Sequence, residues 1–326
     1  MLKAAGLLLK VAASLTLLWL AVRGLDVGAA LAVMKTRSVL AVAGGVALLF
    51  LAQVVTGVRW HGLLAAHGAN VRQRTAVLLT LMGQMFNAAM PSTVGGDAAR
   101  MFYAVRGGAA LAPVTLTILL DRFIGLATIT AMALTVAILQ PVGLVFPPLW
   151  WAVVIFLSAC IPAGLGGLVL ANLSLDHPRV NAWLHRYAGQ VLRAIGALRV
   201  RFRALVAAAG WSALCVLSIG GSLVLLSGGG DAGLSIAQGL AVAAPIILAT
   251  SLPISIAGWG VREMVVVEIY TILGLPAEAG LATSLLFGLA SLVLALPGLP
   301  IWLSMRRRAQ RGDQSDVATP AAEAST

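Results

Sequence analysis

Six ionic side chains stand inside or beside long apolar stretches: Asp97, Arg100, Asp121, Arg122, Arg262 and Glu263. An ion at membrane depth costs about 2.5–3.5 kcal/mol on insertion scales, so each needs an opposite charge or water. The arginines suit an anionic ligand, and Arg122 is the expected phosphate contact with Asp121 as its structural partner. The alternative for that pair is a purely structural salt bridge to Arg100 or Asp97. Glu263 has two readings: an acid stabilised by the dipole of the helix it opens, or a carboxylate that pairs with an arginine across a cavity and carries a proton during transport. A seventh charge, Glu268, reaches the outer interface and is set aside.

These charges flank two runs that break helices. The first is Pro91-Ser92-Thr93-Val94-Gly95-Gly96-Asp97, and the second extends from Pro253 through Ser255, Gly258, Trp259 and Gly260 to Glu263. Irregular backbone at membrane depth must be buried in protein or line a wet cavity, because lipid cannot satisfy free amides and carbonyls. A helix should restart at about Asp97 and again at about Val261, and its unpaired amides favour an anion. Gly95, Gly96, Gly258 and Gly260 either let a headgroup approach the backbone or serve tight helix packing. Gln84 and Asn87, three apart, share a helical face that lines the cavity or bonds between helices. The candidate substrate-binding set is Asn87, Ser92, Gly95, Gly96, Asp97, Arg100, Asp121, Arg122, Ser255, Gly258, Gly260, Arg262 and Glu263.

The elements that must position these residues follow from composition. Of 326 residues, 60% are hydrophobic and 10% charged, with a mean hydropathy of +0.99; soluble domains carry about 45–50% apolar and about 25% charged residues. About 20 apolar residues cross a hydrocarbon core of about 30 Å. Uninterrupted spans are expected at Ala4 to Val22 (an uncleaved first helix), Val39 to Val58, Pro113 to Leu139, Leu149 to Ala171, Leu205 to Ser227 and Gly280 to Leu303.

Orientation follows the excess of Lys and Arg in short cytoplasmic loops. The arginine-rich segment Asp176 to Arg203, the basic loop Arg59 to Arg74 and the Arg306-Arg307-Arg308 tail all fall on the cytoplasmic side, as do both termini, in a bacterial-type inner membrane. Both ends of the region 76–105 are then cytoplasmic and both ends of 235–273 are outside, so each reads as a re-entrant hairpin. The fold expected is an all-α polytopic membrane helix bundle. It has about six spans plus two hairpins arranged as an inverted repeat, the architecture in which interrupted helices mark a transporter's binding site. Residues 1–305 form one transmembrane domain and 306–326 a disordered tail.

Several chemistries are excluded or unsupported. The formal charge of +11 is spread through short inter-span segments rather than along a soluble face, so nucleic acid is not the partner. Cys160 and Cys215 are too few for a disulfide framework or cysteine metal site, and His61, His67, His177 and His185 lack metal-ligand spacing. No nucleotide-hydrolysis loop and no H-E-x-x-H motif occur. No cofactor is expected, and a catalytic role as an integral lipid transferase lacks a recognisable acid or nucleophile cluster.

Three pieces in order, Asn87 with Met90 to Arg100, then Asp121-Arg122, then Pro253 to Glu263, resemble the flippase-like family that shares its fold with the transmembrane region of lysylphosphatidylglycerol synthases. The resemblance covers about Ala4 to Leu303. It implies a multi-span bundle with two re-entrant segments that moves or handles a phospholipid-type or polyprenyl-type lipid through its phosphate headgroup. In the full-length synthases a soluble aminoacyl transfer domain follows; this chain stops soon after its last span, so lysine transfer is expected to be absent and the chain is not expected to be an enzyme. The expected function is a flippase-like transporter of an anionic lipid. The alternative is a non-transporting accessory protein that binds a lipid intermediate or a partner glycosyltransferase or lipid synthase.

Overall fold

The computed structural model describes residues 12, 14–90, 94–139, 202–228, 233–251, 255 and 257–311. The expected span Leu149 to Ala171, the arginine-rich segment as far as residue 201, the start of the expected first span, and Ser92 and Pro253 lie outside the described residues. All regular structure among those described is helical.

Helix α1 (Ser14–Val22) turns by 86° into a second helix. That helix, α2 (Val27–Thr36), is capped by Asp26, whose carboxylate accepts the Ala29 N–H at 3.0 Å. The ten residues of α2 are too few to cross a bilayer. Its cap and the apolar run Val27 to Met34 make it a helix that packs on the bundle instead.

Helix α3 (Val39–Ala66) has 28 residues and continues eight beyond the expected end at Val58. Arg59 and Trp60 thereby stand inside a helix, not in a basic loop, since nothing breaks the chain before His67. Helices α4 (Gln73–Ala89) and α5 (Val94–Arg106) follow, then α6 (Leu111–Leu139) with 29 residues. The second half repeats this order with α7 (Phe202–Ser227), α8 (Ile236–Ser251), α9 (Val261–Ile272) and α10 (Ala277–Ala295).

Helix α11 (Gly298–Arg311) completes the chain. Residues 306–311, expected to belong to a disordered tail, extend this helix. The arginines are good helix formers at the dipole's negative end, and the Arg306 guanidinium lies 5.5 Å from the Trp302 ring centre. The remainder of the expected tail lies outside the described residues.

Four helical stretches among the described residues are long and apolar enough to cross a membrane: Val39–Ala66, Leu111–Met132, Arg203–Ser227 and Ala277–Arg307, or five if the bent α1–α2 pair is one span. Each coincides with one of the six spans expected. The four helices beside the two breaks are shorter, with 17, 13, 16 and 12 residues.

Packing divides into two cores. One gathers Trp60, Leu64, Leu79, Met82, Ala104, Val114 and Ile118 from α3 to α6, and the other gathers Leu223, Val242, Ile246, Val266, Tyr270 and Phe287 chiefly from α7 to α10. The longest seam is α3 against α7. Small residues let backbones close together where apolar solvent gives no hydrophobic drive between helices. A Cβ added to Gly57 would lie 2.6 Å from Val77 Cα at the α3–α4 seam, and one on Gly220 would lie 3.1 Å from Leu240 Cα at the α7–α8 seam.

The first break folds α5 back along α4. The Asn87 amide oxygen accepts the Gly96 N–H at 2.8 Å, and Gly83 faces Gly96 and the Arg100 stem. Moving four residues back on α4 moves the contact four residues forward on α5, which is antiparallel pairing. At the second break Ala257, Gly258 and Gly260 take φ of 51°, 79° and 89°, a left-handed run that glycine adopts without the cost a Cβ imposes.

Candidate functional site

A cavity of about 730 Å³ lies between the two breaks, lined from α3, α4, α5, α6, α7, α8, α9 and α10. Its charged wall is a chain of ion pairs built across three helices, α3, α5 and α6. Asp121, 3% exposed, accepts Arg59 Nε on Oδ1 at 2.7 Å and Arg100 Nη2 on Oδ2 at 3.4 Å. Asp97 takes Arg122 Nε on Oδ2 at 2.7 Å and faces Arg100 Nη1 from Oδ1 at 3.6 Å. Arg59 Nη1 also donates to Ser212 Oγ on α7 at 2.7 Å. The Arg100 guanidinium lies over the Trp60 ring at 4.2 Å.

This chain runs in the order Arg59, Asp121, Arg100, Asp97, Arg122, alternating in sign and ending in a guanidinium at both ends. Among the described residues it holds three guanidinium groups and two carboxylates. Burial decreases along it: Arg59, Arg100 and Asp121 are buried, whereas the Arg122 side chain is 39% exposed. Between Asp26 and Asp176 the sequence contains no acid besides Asp97 and Asp121, and both are spent here.

The second charged group sits at the start of α9. Glu263 is fully buried. Its Oε2 accepts the Gly260 N–H at 2.7 Å and its Oε1 accepts Arg262 Nε at 3.0 Å and Ser284 Oγ at 3.1 Å, with Arg262 Nη2 also bound. Arg262 lines the cavity and Glu263 lies behind it. The guanidinium is held beside Trp259 at 4.7 Å and Phe287 at 5.9 Å, and it occupies the space a side chain at Gly288 would need, 2.2 Å from the position of a Cβ there. The expectation that Glu263 pairs with an arginine across the cavity is therefore corrected: its partner is the adjacent Arg262, and it caps the helix as well.

Neutral polar groups join the two clusters. Gln53 Nε2 donates to Gln84 Oε1 at 3.4 Å, and Thr56, Asn87, Thr250 and Ser291 share the cavity wall. Gln84 and Asn87 thus line the cavity and bond between segments at once. The free thiol of Cys215 faces the Thr56 hydroxyl at 3.6 Å on the same wall. Among the described residues no group of His, Cys, Asp and Glu is placed to hold a metal ion.

The glycines resolve towards packing. A Cβ on Gly95 would lie 2.5 Å from Met90 Sδ, on Gly96 2.4 Å from Asn87 Oδ1, on Gly258 2.5 Å from Thr250 Cγ2, and on Gly260 2.8 Å from Leu18 N. Protein fills the space a Cβ would need at each, which packing requires, and Gly96 also lines the cavity. Of the other candidates, Asn87, Asp97, Arg100, Asp121, Arg122 and Arg262 meet at the cavity, Ser255 is buried outside its lining, and Ser92 is outside the described residues.

Arg59 was not foreseen. It reads as a cytoplasmic loop charge only if α3 ends at Val58, and the apolar continuation Gly62 to Ala66 was the signal that it does not. Gln53, Thr56 and Ser212 were hidden for a different reason: single polar residues in apolar helices look alike in sequence whether they face a cavity or a neighbour.

Compared with known families, residues 7–298 match the model described as Lysylphosphatidylglycerol synthase TM region. Comparison with curated proteins gave no match.

Proposed function

The chain belongs to the family of lysylphosphatidylglycerol synthase transmembrane regions, a multi-pass helical membrane protein related to lipid metabolism or transport, and from that premise we propose that it is a flippase-like transporter of an anionic lipid. The observation that carries this reading is the 730 Å³ cavity between two helix breaks, walled by Arg59, Arg100, Arg122 and Arg262. A phosphodiester is an anion, the kind of group that guanidinium groups hold by charge-assisted hydrogen bonds. Arg122, the most exposed of that chain, makes the first contact with the phosphate; Asp97 holds it and Arg100 in place. Neutral amides and hydroxyls between the two clusters give the headgroup a polar route while its acyl or polyprenyl tail stays in lipid. The role is transport, with no bond made or broken in the lipid.

Packing supports a repeat of two four-helix halves, which the proposal takes as inverted. Exchanging α3, α4, α5 and α6 for α7, α8, α9 and α10 converts every major packing pair among these eight helices into another observed pair: α3–α4 into α7–α8, α4–α5 into α8–α9, α5–α6 into α9–α10, α6–α7 into α10–α3, α6–α8 into α10–α4, and α3–α6 into α7–α10, with α3–α7 mapping onto itself. The break helices span only about 18–26 Å at 1.5 Å per residue, short of a core of about 30 Å, which suits hairpins entering from opposite faces. Under this arrangement both termini are cytoplasmic in a bacterial-type inner membrane. Alternating exposure then amounts to rocking one repeat against the other around the cavity.

The test is lipid movement in vesicles. Reconstituted wild-type protein should accelerate exchange of tail-labelled phosphatidylglycerol between leaflets, and Arg122→Gln should slow it about tenfold, the loss of one charge-assisted contact. Exchange equal to that of protein-free vesicles would overturn the transport reading and favour a lipid-binding accessory role beside a glycosyltransferase or lipid synthase.

A further inference from the structure

Where α10 passes into α11, one exposed stripe changes character abruptly. Leu296, Leu299 and Leu303 are 68%, 49% and 37% exposed, and spacings of three and four place them on one helix face. Three and four residues after Leu303 the same face continues with Arg306 and Arg307, both exposed. At 1.5 Å per residue the step from leucine to arginine takes about 4.5–6 Å. The polar layer on each side of a hydrocarbon core is itself about 5–8 Å thick, so this stripe presents leucines to lipid chains and arginines to lipid headgroups. The helix Gly298–Arg311 contains four arginines and no acid, and Trp302 belongs to a residue type enriched at membrane interfaces.

Arginines beyond a span orient a membrane protein wherever they point. These also connect to the first hairpin. Trp302, beside the Arg306 guanidinium, meets Phe86 of α4 edge-on with ring centres 6.4 Å apart. Phe86 precedes Asn87, whose amide oxygen accepts the Gly96 N–H across the break. One turn before Trp302, a Cβ on Gly298 would fall 2.5 Å from Met85 Cβ and 3.0 Å from the Leu81 carbonyl oxygen, so the backbones of α11 and α4 pack closely.

We propose that the outer face of α11 is a docking site for an anionic phospholipid of the surrounding leaflet. Its chains lie along Leu296, Leu299 and Leu303, its phosphate meets Arg306 and Arg307, and by holding α11 it steadies α4, the first arm of the hairpin. Charge complementarity and the leucine-to-arginine register select this occupant, because a soluble acidic protein would match the arginines and leave the leucines uncovered. None of the residues that meet this lipid lines the cavity, so the site is separate from the one proposed for transport.

The experiment places a bimane reporter on Leu303→Cys, in a Cys160→Ser/Cys215→Ser background, and reconstitutes the full chain with brominated phosphatidylglycerol or brominated phosphatidylcholine at equal mole fraction. Quenching should read an affinity ratio of about fivefold or more for phosphatidylglycerol, the factor that roughly one basic side chain contributes at an anionic surface. Salt should narrow it, and Arg306→Gln/Arg307→Gln should bring it close to one. A second reporter on Leu217→Cys, an exposed position of α7, should show no preference. A ratio of one at position 303 with both arginines present overturns the lipid site and leaves the face to an acidic protein segment. An equal ratio at positions 303 and 217 overturns it in favour of general attraction to a basic protein. Amide hydrogen exchange of Gln73–Ala89 should slow in phosphatidylglycerol relative to phosphatidylcholine, and unchanged exchange beside a preference at position 303 overturns the steadying of α4. The reporter at 303 is read before the arginines are replaced, so the site stands or falls even if the double variant fails to fold.

Discussion

The two helix breaks each lie between two short helices, and they are unlike in charge. At the α4–α5 break five ionic side chains come from three helices, one from α3, two from α5 and two from α6, and they form an alternating chain that reaches the half-exposed Arg122. At the α8–α9 break one arginine and one glutamate, adjacent in sequence, close on each other with no charge left over. An open chain of alternating charges ties separate helices together and still presents a charge to a ligand. A closed pair mainly fixes the geometry of its own helix start. On the proposed function the first break is the place where the cavity would meet an anion, and the second positions a single guanidinium at the far end.

The hardest way to break that contrast is to remove the central acid of the open chain. Asp121→Ala leaves Arg59 and Arg100 buried without their shared carboxylate, and losing one partner of a buried ion pair costs about 3–5 kcal/mol. Thermal unfolding of the detergent-solubilised protein should show the largest loss of this series, and a stability close to wild type would mean that the chain is not a structural tie. Glu263→Gln acts on the closed pair, removing the charge opposite Arg262 while an amide oxygen can still accept the Gly260 N–H. About 2–4 kcal/mol is expected there, and the same melting measurement ranks the two.

Gly288→Ala sharpens the comparison from the opposite side, since it leaves every charge in place and takes the room that Arg262 uses. Overpacking of this kind costs about 1–3 kcal/mol. Its signature should be displacement of Arg262, read as lost protection of a cysteine introduced at Trp259 against a soluble thiol reagent. Smallest in stability is Arg122→Gln, at about 1 kcal/mol or less because the pair with Asp97 is partly solvated. Its lipid transfer should nevertheless fall well below wild type. A variant that melts normally and transports normally would show that the exposed end of the open chain does not meet the substrate.

How far this contrast was legible in the sequence depends on the kind of signal. Val39 to Val58, Pro113 to Leu139 and Leu205 to Ser227 read as spans because a long apolar run without charge has few other uses, and all three are helices. The prolines at Pro91 and Pro253 likewise mark the neighbourhood of real interruptions between α4 and α5 and between α8 and α9. Pairing was less readable. The Asp121–Arg122 pair was placed against Arg100 or Asp97, and both contacts form, but the closest partner of Asp121, Arg59, is 62 residues away on a helix whose end was misplaced. Arg262 and Glu263 are neighbours along the chain, yet one turns to the cavity and the other behind it, a difference set by the left-handed turn before them and by Ser284 on α10. The glycine runs suggested open backbone because the sequence does not say which neighbouring helix will come to fill the space.

One of those glycines links the second break to the opposite end of the chain. Gly260 admits the main chain of α1 so closely that a methyl group there would fall 2.9 Å from the Ser14 carbonyl oxygen and 2.6 Å from Leu17 Cβ. Helix α1 consequently acts as a brace on the residue that begins α9, and any tilting of α9 must carry the amino-terminal segment along or slide past it. A bulky fusion near that end should therefore slow conformational cycling without touching a single group in the cavity.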